Sequence, residues 1–265
     1  RQIYESPYPD WEKNAPIFVG KTNDDEIPYL LIFRHKDFII YSIPEIDFFI
    51  RPNTIEGLIK TESSDDIELL LFGKILSLWL ELRGVPCLHA SSVVMNDGAV
   101  GFLSSSHGGK SVLAASMMRA GHPLLTDDIL PVRFEGARFF GAPGNASMRM
   151  WPDQAEYFLG SYEDLDLVHP SVSKRRVPVG ERGFGMFCRE EQPLKLLYIP
   201  EKNNSGDEVV IEPMTPRDAF FELVKNSYAV RIIEALGKEA QRMKFFADMA
   251  SRLPIRRLRY PEGFQ

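Results

Sequence analysis

The sequence predicts an α/β protein whose N-terminal part is a small antiparallel β extension. Two stretches lead to this prediction. Residues 98–130 predict the order strand, loop, helix, strand. The segment starts with an apolar run, which is followed by small polar residues, by a helical run that ends before Gly121, and by a second apolar run. Residues 29–50 contain apolar runs separated by polar turns, which is typical of a hairpin and a third strand. We therefore expect an extension over residues 1–62 and a larger α/β domain over 63–265.

The composition limits the classes of protein to consider. The chain has 265 residues, of which 44% are hydrophobic and 26% charged, so it can bury a sizeable core. Its formal net charge of -6 argues against a general nucleic-acid binder or membrane-surface binder. Cys87 and Cys188 lie in apolar stretches and favour reduced thiols in the cytoplasm over a disulfide or a metal site. The longest apolar stretch, 67–82, includes two glutamates and a lysine, and it predicts a buried helix rather than a membrane span.

The remaining elements follow from local signals. In the first half, residues 29–34, 38–42 and 46–50 predict strands, and residues 87–95 predict a strand that turns through Asn96-Asp97-Gly98 into the strand at 98–103. Residues 161–182 are polar and carry no predicted element. In the second half we expect a strand pair at 131–140, a short helix at 153–159, strands at 194–200 and 207–212, helices at 219–236 and 238–252, and a last strand at 255–260.

The loop before the helix at 112–119 has the chemistry of a phosphate site. Amides at a helix N-terminus, together with the helix dipole, hold anionic oxygens. Lys110 adds a positive charge, and the Ser111 hydroxyl can ligate magnesium. Asp127 and Asp128 follow the next strand, where they could be further magnesium ligands or a base. A Gly-Lys-Ser tripeptide alone would also fit a surface turn, but the flanking strands and the acid pair favour nucleotide binding.

Three further residues are candidates with an open alternative. His89, in the neighbouring predicted strand, fits a hydrogen-bonded core histidine as well as a functional one. Arg149 and Lys174 could contact the nucleotide or the transferring phosphoryl group. An ion pair with a surface acid would explain either of these two cations equally well.

Residues 87–130 resemble the HPr kinase/phosphorylase catalytic domain. The resemblance rests on LHASSV, on the Gly-Lys-Ser loop and on RAGHPLLTDD. The family has a strand with Leu-His, a loop G-x-S-G-x-G-K-S, and Arg-Gly-His-x-Leu-x-x-Asp-Asp after the helix. Lys110 and Asp127 are 17 positions apart, which fits the family pattern. Ser104 and His107 depart from it, because they replace two loop glycines.

This resemblance implies a phosphoenolpyruvate-carboxykinase-like P-loop core that uses ATP and Mg²⁺. Asp127 would be the catalytic base, Lys110 would contact the terminal phosphates, and His89 would line the site. Ser111 and Asp128 would hold the metal. The nucleotide-binding set would comprise Ser106, His107, Gly108, Gly109, Lys110 and Ser111 of the loop, to which our candidates Arg149 and Lys174 are added.

A looser resemblance covers most of the chain. The N-terminal sheet, the segments SMRMWP and KRRVPV, and the closing residues up to Pro261 are similar to HPr-kinase-related proteins encoded with lasso-peptide biosynthesis genes. Those proteins phosphorylate the C-terminal serine of a precursor peptide. The resemblance therefore implies a cytoplasmic serine kinase whose partners are a precursor peptide and a nucleotide.

The sequence leaves two alternative functions open, and it does not decide whether the protein self-associates. A kinase of the same fold could act on an HPr-like protein or on a small metabolite. A nucleotide-binding regulator without turnover would also fit, given the two replaced loop glycines. The HPr kinases form homo-oligomers, but the N-terminal extension could cover that contact surface, so self-association stays undecided.

Overall fold

A computed structural model describes residues 13–20, 29–61, 65–105, 108–181, 183–203 and 208–261. It has a mixed α/β structure that divides into two units. The first unit ends at Gly84 and also includes Ala229–Ala240, whereas the second contains Val85–Tyr228 and the chain from Gln241 onward. Over these described ranges, no helix is both long enough and apolar enough to cross a membrane.

The first unit is built on an antiparallel sheet of five strands in sequential order. The predicted hairpin and third strand are confirmed, and the first and last strands were not predicted. The strands are β1 (Phe18–Val19), β2 (Leu31–Arg34), β3 (Ile39–Ser42), β4 (Ile46–Ile50) and β5 (Ile55–Ile59).

The helical run after this sheet belongs to the first unit. It comprises α1 (Asp65–Leu70), a π-helical turn (Leu71–Ile75) and α2 (Leu76–Leu82), so the predicted single helix contains a π segment. Ile75 and Leu78 are fully buried in one apolar cluster with residues of β2–β4. The predicted boundary after residue 62 therefore differs from the observed one, because the apolar face of this helical run completes the core of the N-terminal sheet. Helix α6 (Val230–Ala235) contributes to the same cluster.

The second unit contains an eight-stranded sheet and a three-stranded sheet. The eight-stranded sheet is ordered β10-β9-β6-β7-β14-β16-β15, with β8 paired to β6 and β10 also paired to β14. Among the described strands of this sheet, the β7–β14 and β14–β16 pairs are parallel and the others antiparallel. In chain order the strands are β6 (Cys87–Met95), β7 (Gly98–Leu103), β8 (Leu124–Thr126), β9 (Ile129–Glu135), β10 (Arg138–Gly141), β11 (Ser147–Met150), β12 (Leu167–His169), β13 (Val172–Pro178), β14 (Gln192–Asn203), β15 (Val210–Pro213) and β16 (Ile255–Pro261). The helices of this part of the chain are α3 (Lys110–Arg119), α4 (Pro152–Leu159), α5 (Pro216–Lys225) and α7 (Glu239–Arg252).

The large sheet is buried on both faces. Along β7, Ala99 and Leu103 belong to one apolar core, and Val100 and Phe102 belong to another. Side chains alternate between the faces of a strand, so these two cores lie on opposite sides of the sheet. The first core includes residues of α5 and α7, and the second includes residues of α3 and α4. The predicted strand at 98–103 is thus confirmed, and it is buried on both sides.

In the second half of the chain two strands in a polar segment were not predicted, and one predicted helix is wrong. The polar segment 161–182 contains β12 and β13, which pair with each other and with β11. The predicted helix 219–236 is instead α5 and α6, separated by the non-helical residues 226–229. The main chain of that segment bonds to β6: the His89 amide donates to the Asn226 carbonyl at 2.6 Å and the Tyr228 amide to the Cys87 carbonyl at 3.0 Å. These bonds hold the chain away from α5 after Lys225, and Ala229, with a positive φ of 52°, directly precedes the start of α6.

Candidate functional site

The loop between β7 and α3 requires glycine where the helix begins. Gly109 precedes the first residue of α3 and has a φ of 79°, a region that glycine adopts without steric cost. A Cβ at this position would lie 1.9 Å from the hydroxyl oxygen of Tyr260, so the space also excludes a side chain. The predicted contacts Ser106 and His107 lie outside the described residues.

Ser104 is accommodated by the glycine at position 108. A Cβ on Gly108 would be 2.4 Å from the Ser104 hydroxyl oxygen. The Gly108 amide donates to the Ser105 carbonyl at 3.2 Å, so the main chain at positions 105 and 108 is directly bonded. Glycine at position 108 therefore leaves room for the Ser104 side chain.

Lys110 is a buried cation at the first turn of α3. Only 8% of its surface is exposed. Burial lowers the pKa of Lys110, while the charges of Asp127 and Asp128 oppose this effect. The neighbouring cations Lys174 and Arg149 lower the pKa of Lys110 further. Lys110 therefore lies in a low-dielectric region together with two carboxylates and two further cations. Electrostatic interactions with a ligand are strong in such a region.

Asp127 accepts hydrogen bonds from neutral donors. Its Oδ1 accepts from the hydroxyl of Ser91 at 2.5 Å and from that of Ser111 at 2.9 Å. Its Oδ2 accepts from the backbone amide of Arg149 at 3.0 Å. The middle of β6, strand β11 and the start of α3 thus each supply a donor to this carboxylate, which directly follows β8. The Ser111 hydroxyl bonds to Asp127 rather than to Asp128.

Asp128 is bonded to two side chains that carry or can carry positive charge. His89 Nε2 donates to its Oδ1 at 3.0 Å, and Arg149 Nη1 donates to its Oδ2 at 2.9 Å. Burial acts to raise the pKa of Asp128, but the His89 hydrogen bond and the charges of Arg149, His89 and Lys110 outweigh it and hold that pKa far below its usual range. Asp128 is therefore a stable anion that is poorly suited to accept a proton.

The backbone of Asp128 is held in an uncommon conformation. Its φ is 80°, in the left-handed region that costs a non-glycine residue about 1–2 kcal/mol. Its carbonyl accepts from the Ala90 amide and from the Tyr228 hydroxyl, each at 3.2 Å. Burial and the charge of Asp128 raise the pKa of Tyr228, so this hydroxyl stays a donor. These bonds fix the turn that directs the carboxylates of Asp127 and Asp128 to different partners.

The structure brings most of the predicted site residues together. Asp127, Asp128, His89, Ser111 and Arg149 form one hydrogen-bonded group, to which Lys110 is coupled electrostatically. Arg149 pairs with an acid of this group, not with a distant surface acid. Lys174 lies with its Nζ 5.1 Å from the centre of the Trp151 ring and is close enough to affect Lys110. Contact of either cation with a nucleotide stays a prediction.

Three residues of the site were not found by sequence reasoning. Ser91 carried a usable signal, because it lies two positions after His89 in a strand and so shares its face. Tyr228 is 100 positions from Asp128, and Tyr260 is 152 positions from Gly108, whose carbonyl its hydroxyl contacts at 3.4 Å. No local pattern predicts either contact, because both depend on how distant strands meet.

The donor set fits a magnesium ion that is shared with a phosphate ligand. Among the residues that the structure describes, no three His, Cys, Asp or Glu side chains form a metal-binding group. Magnesium is usually held by one or two carboxylates together with waters and phosphate oxygens. The Ser111 hydroxyl and the neighbouring acid pair are oxygen donors of this kind.

The chain is distantly similar to a solved structure. No protein-family model and no curated protein matches the chain. Among solved structures, the chain is similar to the Hpr(Ser) kinase/phosphatase from Coxiella burnetii, with 12% sequence identity and a TM-score of 0.33. The likeness covers 67% of this chain and 79% of that protein.

Proposed function

We propose that the protein is an ATP- and Mg²⁺-dependent kinase that transfers the γ-phosphoryl group to a serine hydroxyl of a peptide. One observation carries the proposal. The buried Lys110 lies at the start of a helix, directly after a loop whose conformation requires glycine, and it interacts electrostatically with two carboxylates. A buried lysine at a helix N-terminus is suited to bind phosphate, and a nearby carboxylate can accept a proton from the attacking group.

The loop and the start of α3 would hold the phosphates. The first amides of a helix lack acceptors within the helix, and the helix dipole adds positive potential there. Lys110 would contact the terminal phosphates from its buried position, where its charge is poorly screened. Arg149 and Lys174, which both affect the pKa of Lys110, would add positive charge as the phosphoryl group is transferred.

Asp127 is the proposed base. A serine hydroxyl is a poor nucleophile, and a positioned carboxylate can take its proton as the loose transition state forms. Asp127 is held by hydroxyl and amide donors, so an acceptor hydroxyl could replace one of them without breaking an ion pair. Asp128 would instead orient His89 and Arg149, to which both its oxygens are bonded.

Ser111 and an oxygen of the acid pair would hold the magnesium ion, which neutralises charge on the phosphates when bound. Asp128 as the second ligand stays a prediction. It would have to exchange its bond to His89 or Arg149 for the metal, whereas Asp127 already lies 2.9 Å from the Ser111 hydroxyl. Separate Asp127→Asn and Asp128→Asn variants, compared for the Mg²⁺ concentration that half-saturates nucleotide binding, would identify the ligand.

The acceptor is proposed from the looser sequence resemblance alone. The proteins that the chain resembles phosphorylate the C-terminal serine of a lasso-peptide precursor, so we expect the same class of acceptor here. The first experiment incubates the protein with ATP, Mg²⁺ and a precursor peptide ending in serine, and measures the intact mass of the peptide. The same peptide ending in alanine is the matched acceptor control.

We expect one added phosphate on the serine peptide and none on the alanine peptide. Asp127→Asn should reduce the rate by about 10²–10⁴-fold. Asp97→Asn, a change of the same type in the exposed turn between β6 and β7, should leave the rate unchanged. Full activity of Asp127→Asn would contradict the proposed base. If the protein bound ATP but transferred phosphate to no acceptor, the alternative of a nucleotide-binding regulator without turnover would be favoured. Transfer only to an HPr-like protein or to a metabolite would favour the alternative of a kinase of the same fold with another acceptor.

A further inference from the structure

The first unit contains a cavity of about 580 Å³ with a cationic lining. It lies between the β2–β3 turn, the β4–β5 turn, the end of α2 and the segment after α6. Five of its lining residues are Lys or Arg, and only one, Asp37, is an acid. The chain as a whole has a net charge of -6, so this concentration of cations runs against its overall composition. We call this cavity the basic pocket.

The cations of the basic pocket come from separate elements. Arg34 and Lys36 are contributed by the β2–β3 turn, Arg83 by the end of α2, and Lys238 by the segment after α6. All four are exposed. The fifth cation, Arg51, is already paired with Glu56 at 2.9 Å. Positive charge is therefore spread around the pocket instead of being collected at one point.

Aromatic rings make up part of the pocket wall. The guanidinium of Arg83 lies 4.7 Å from the centre of the Trp79 ring, and that of Arg51 lies 5.1 Å from the centre of Phe38. His35 stacks on Phe38, with 4.4 Å between the ring centres. Cation–π contacts hold a guanidinium flat against a ring and leave its N–H edge directed outward. The pocket thus combines apolar surfaces with oriented donors.

Main-chain carbonyls fix two of these cations. Arg34 Nη2 donates to the Leu236 carbonyl at 2.5 Å, and Arg83 Nη1 donates to the Pro52 carbonyl at 2.5 Å. The indole N–H of Trp79 donates to the Arg51 carbonyl at 2.9 Å. A guanidinium has five N–H donors, so one such bond leaves others for a ligand. Side chains that are already ordered lose less entropy when they bind.

From this arrangement we infer that the basic pocket binds an acidic segment of a peptide. An apolar side chain of the segment packs on the half-buried Trp79 and the exposed Pro52, which both line the pocket, and flanking carboxylates pair with Lys36, Arg83 and Lys238. A phosphate site would instead collect several donors around one anion. The distributed charge and the aromatic wall fit an apolar residue between acids better. The inference concerns binding only, so it does not depend on the proposed kinase activity.

The test measures fluorescence anisotropy of a labelled peptide that has one phenylalanine flanked on each side by two glutamates, added to the full chain. A peptide with glutamines in place of the glutamates is the ligand control. The pocket variant is Lys36→Glu/Arg83→Glu/Lys238→Glu. The matched variant is Lys74→Glu/Arg231→Glu/Lys244→Glu, which makes the same change in net charge at exposed cations outside the pocket.

We expect saturable binding of the acidic peptide, weakened about tenfold or more in the pocket variant and about twofold or less in the matched variant. The milder Lys36→Gln/Lys238→Gln variant leaves Arg83 on Trp79 and should lose about threefold, which guards against misfolding of the triple variant. Equal loss in both triple variants, equal binding of the glutamine peptide, or no saturable binding up to about 1 mM peptide would overturn the inference. Displacement of the peptide by inorganic phosphate at constant ionic strength would overturn it in favour of a small-anion site.

Discussion

The candidate site has two sides that are built in different ways. The loop side, residues 108–111, depends on backbone conformation, on two glycines and on one buried lysine. The acid side, Asp127 and Asp128, depends on side chains from β6, β11 and the segment after α5 that hold two adjacent carboxylates apart. A binding function needs mainly the first side, whereas phosphoryl transfer needs both. Variants that separate binding from transfer therefore test whether the two sides have different roles.

The largest difference should appear between Lys110→Ala and Asp127→Asn. Lys110→Ala removes the buried charge that would contact the phosphates, so we expect nucleotide affinity to fall about tenfold or more and transfer to fall about 10²–10³-fold. Asp127→Asn should leave nucleotide affinity within about threefold. Equilibrium nucleotide binding and single-turnover transfer would be measured on both variants. If Lys110→Ala turned over normally, the loop would not be a phosphate site.

A smaller effect should distinguish the two acids by pH. The pKa of Asp128 is held below its unfolded value, so the stability that this acid contributes is complete above about pH 4–5 and is lost as pH falls toward the folded pKa. We expect Asp128→Asn to lower the free energy of unfolding by about 1–3 kcal/mol at pH 7. Asparagine tolerates the positive φ at this position, so the backbone should be retained.

The measurement is urea unfolding of both proteins between pH 7 and pH 3. The difference between wild type and Asp128→Asn should shrink as the pH falls below about 4–5, because the unfolded wild-type chain then binds a proton at Asp128 while the folded carboxylate stays ionised. A difference that stays constant over this range would show that the bonds to His89 and Arg149 do not depend on the charge of Asp128. Asp97→Asn, in an exposed turn, provides the matched control.

The smallest effect concerns the contact between Gly108 and Ser104 on the loop side. Gly108→Ala places a Cβ against the Ser104 side chain and should destabilise the protein by about 1 kcal/mol and weaken nucleotide binding. The double variant Ser104→Gly/Gly108→Ala removes the obstructing hydroxymethyl group and should recover most of both losses. Thermal unfolding and nucleotide titration of the two single variants and the double variant form a cycle. Additive losses would mean that the two positions do not compensate each other.

The two sides also differ in how far sequence reasoning could reach. The loop side could be found because strand, glycines, lysine and helix follow one another along the chain. Asp127 and Asp128 could be found because they directly follow the next strand, β8. The partners that distinguish the two acids could not be assigned, since Arg149 and Tyr228 reach them through pairing between distant segments. The missed strands β12 and β13 have the same cause, because their polar sequence becomes a sheet only beside β11.

The helix prediction failed at residues 226–228, which support the candidate site. Residues 219–236 have helical composition throughout, yet Asn226 and Tyr228 leave the helix to bond with the start of β6. This departure also brings the Tyr228 hydroxyl to the carbonyl of Asp128. Tertiary hydrogen bonds outweigh a weak local preference here, and the departure marks residues that support the candidate site.

The contact between Tyr260 and the loop means that the loop cannot reach its final structure until nearly the whole described chain has been synthesised. The ribosome makes the carbonyl of Gly108 152 residues before the tyrosine that contacts it. At ordinary elongation rates this interval is roughly 8–30 s. During that time β16 cannot yet lie beside β14, and the tyrosine side chain cannot yet cover Gly109. A nascent chain therefore carries the complete glycine and lysine motif well before it can present the finished loop.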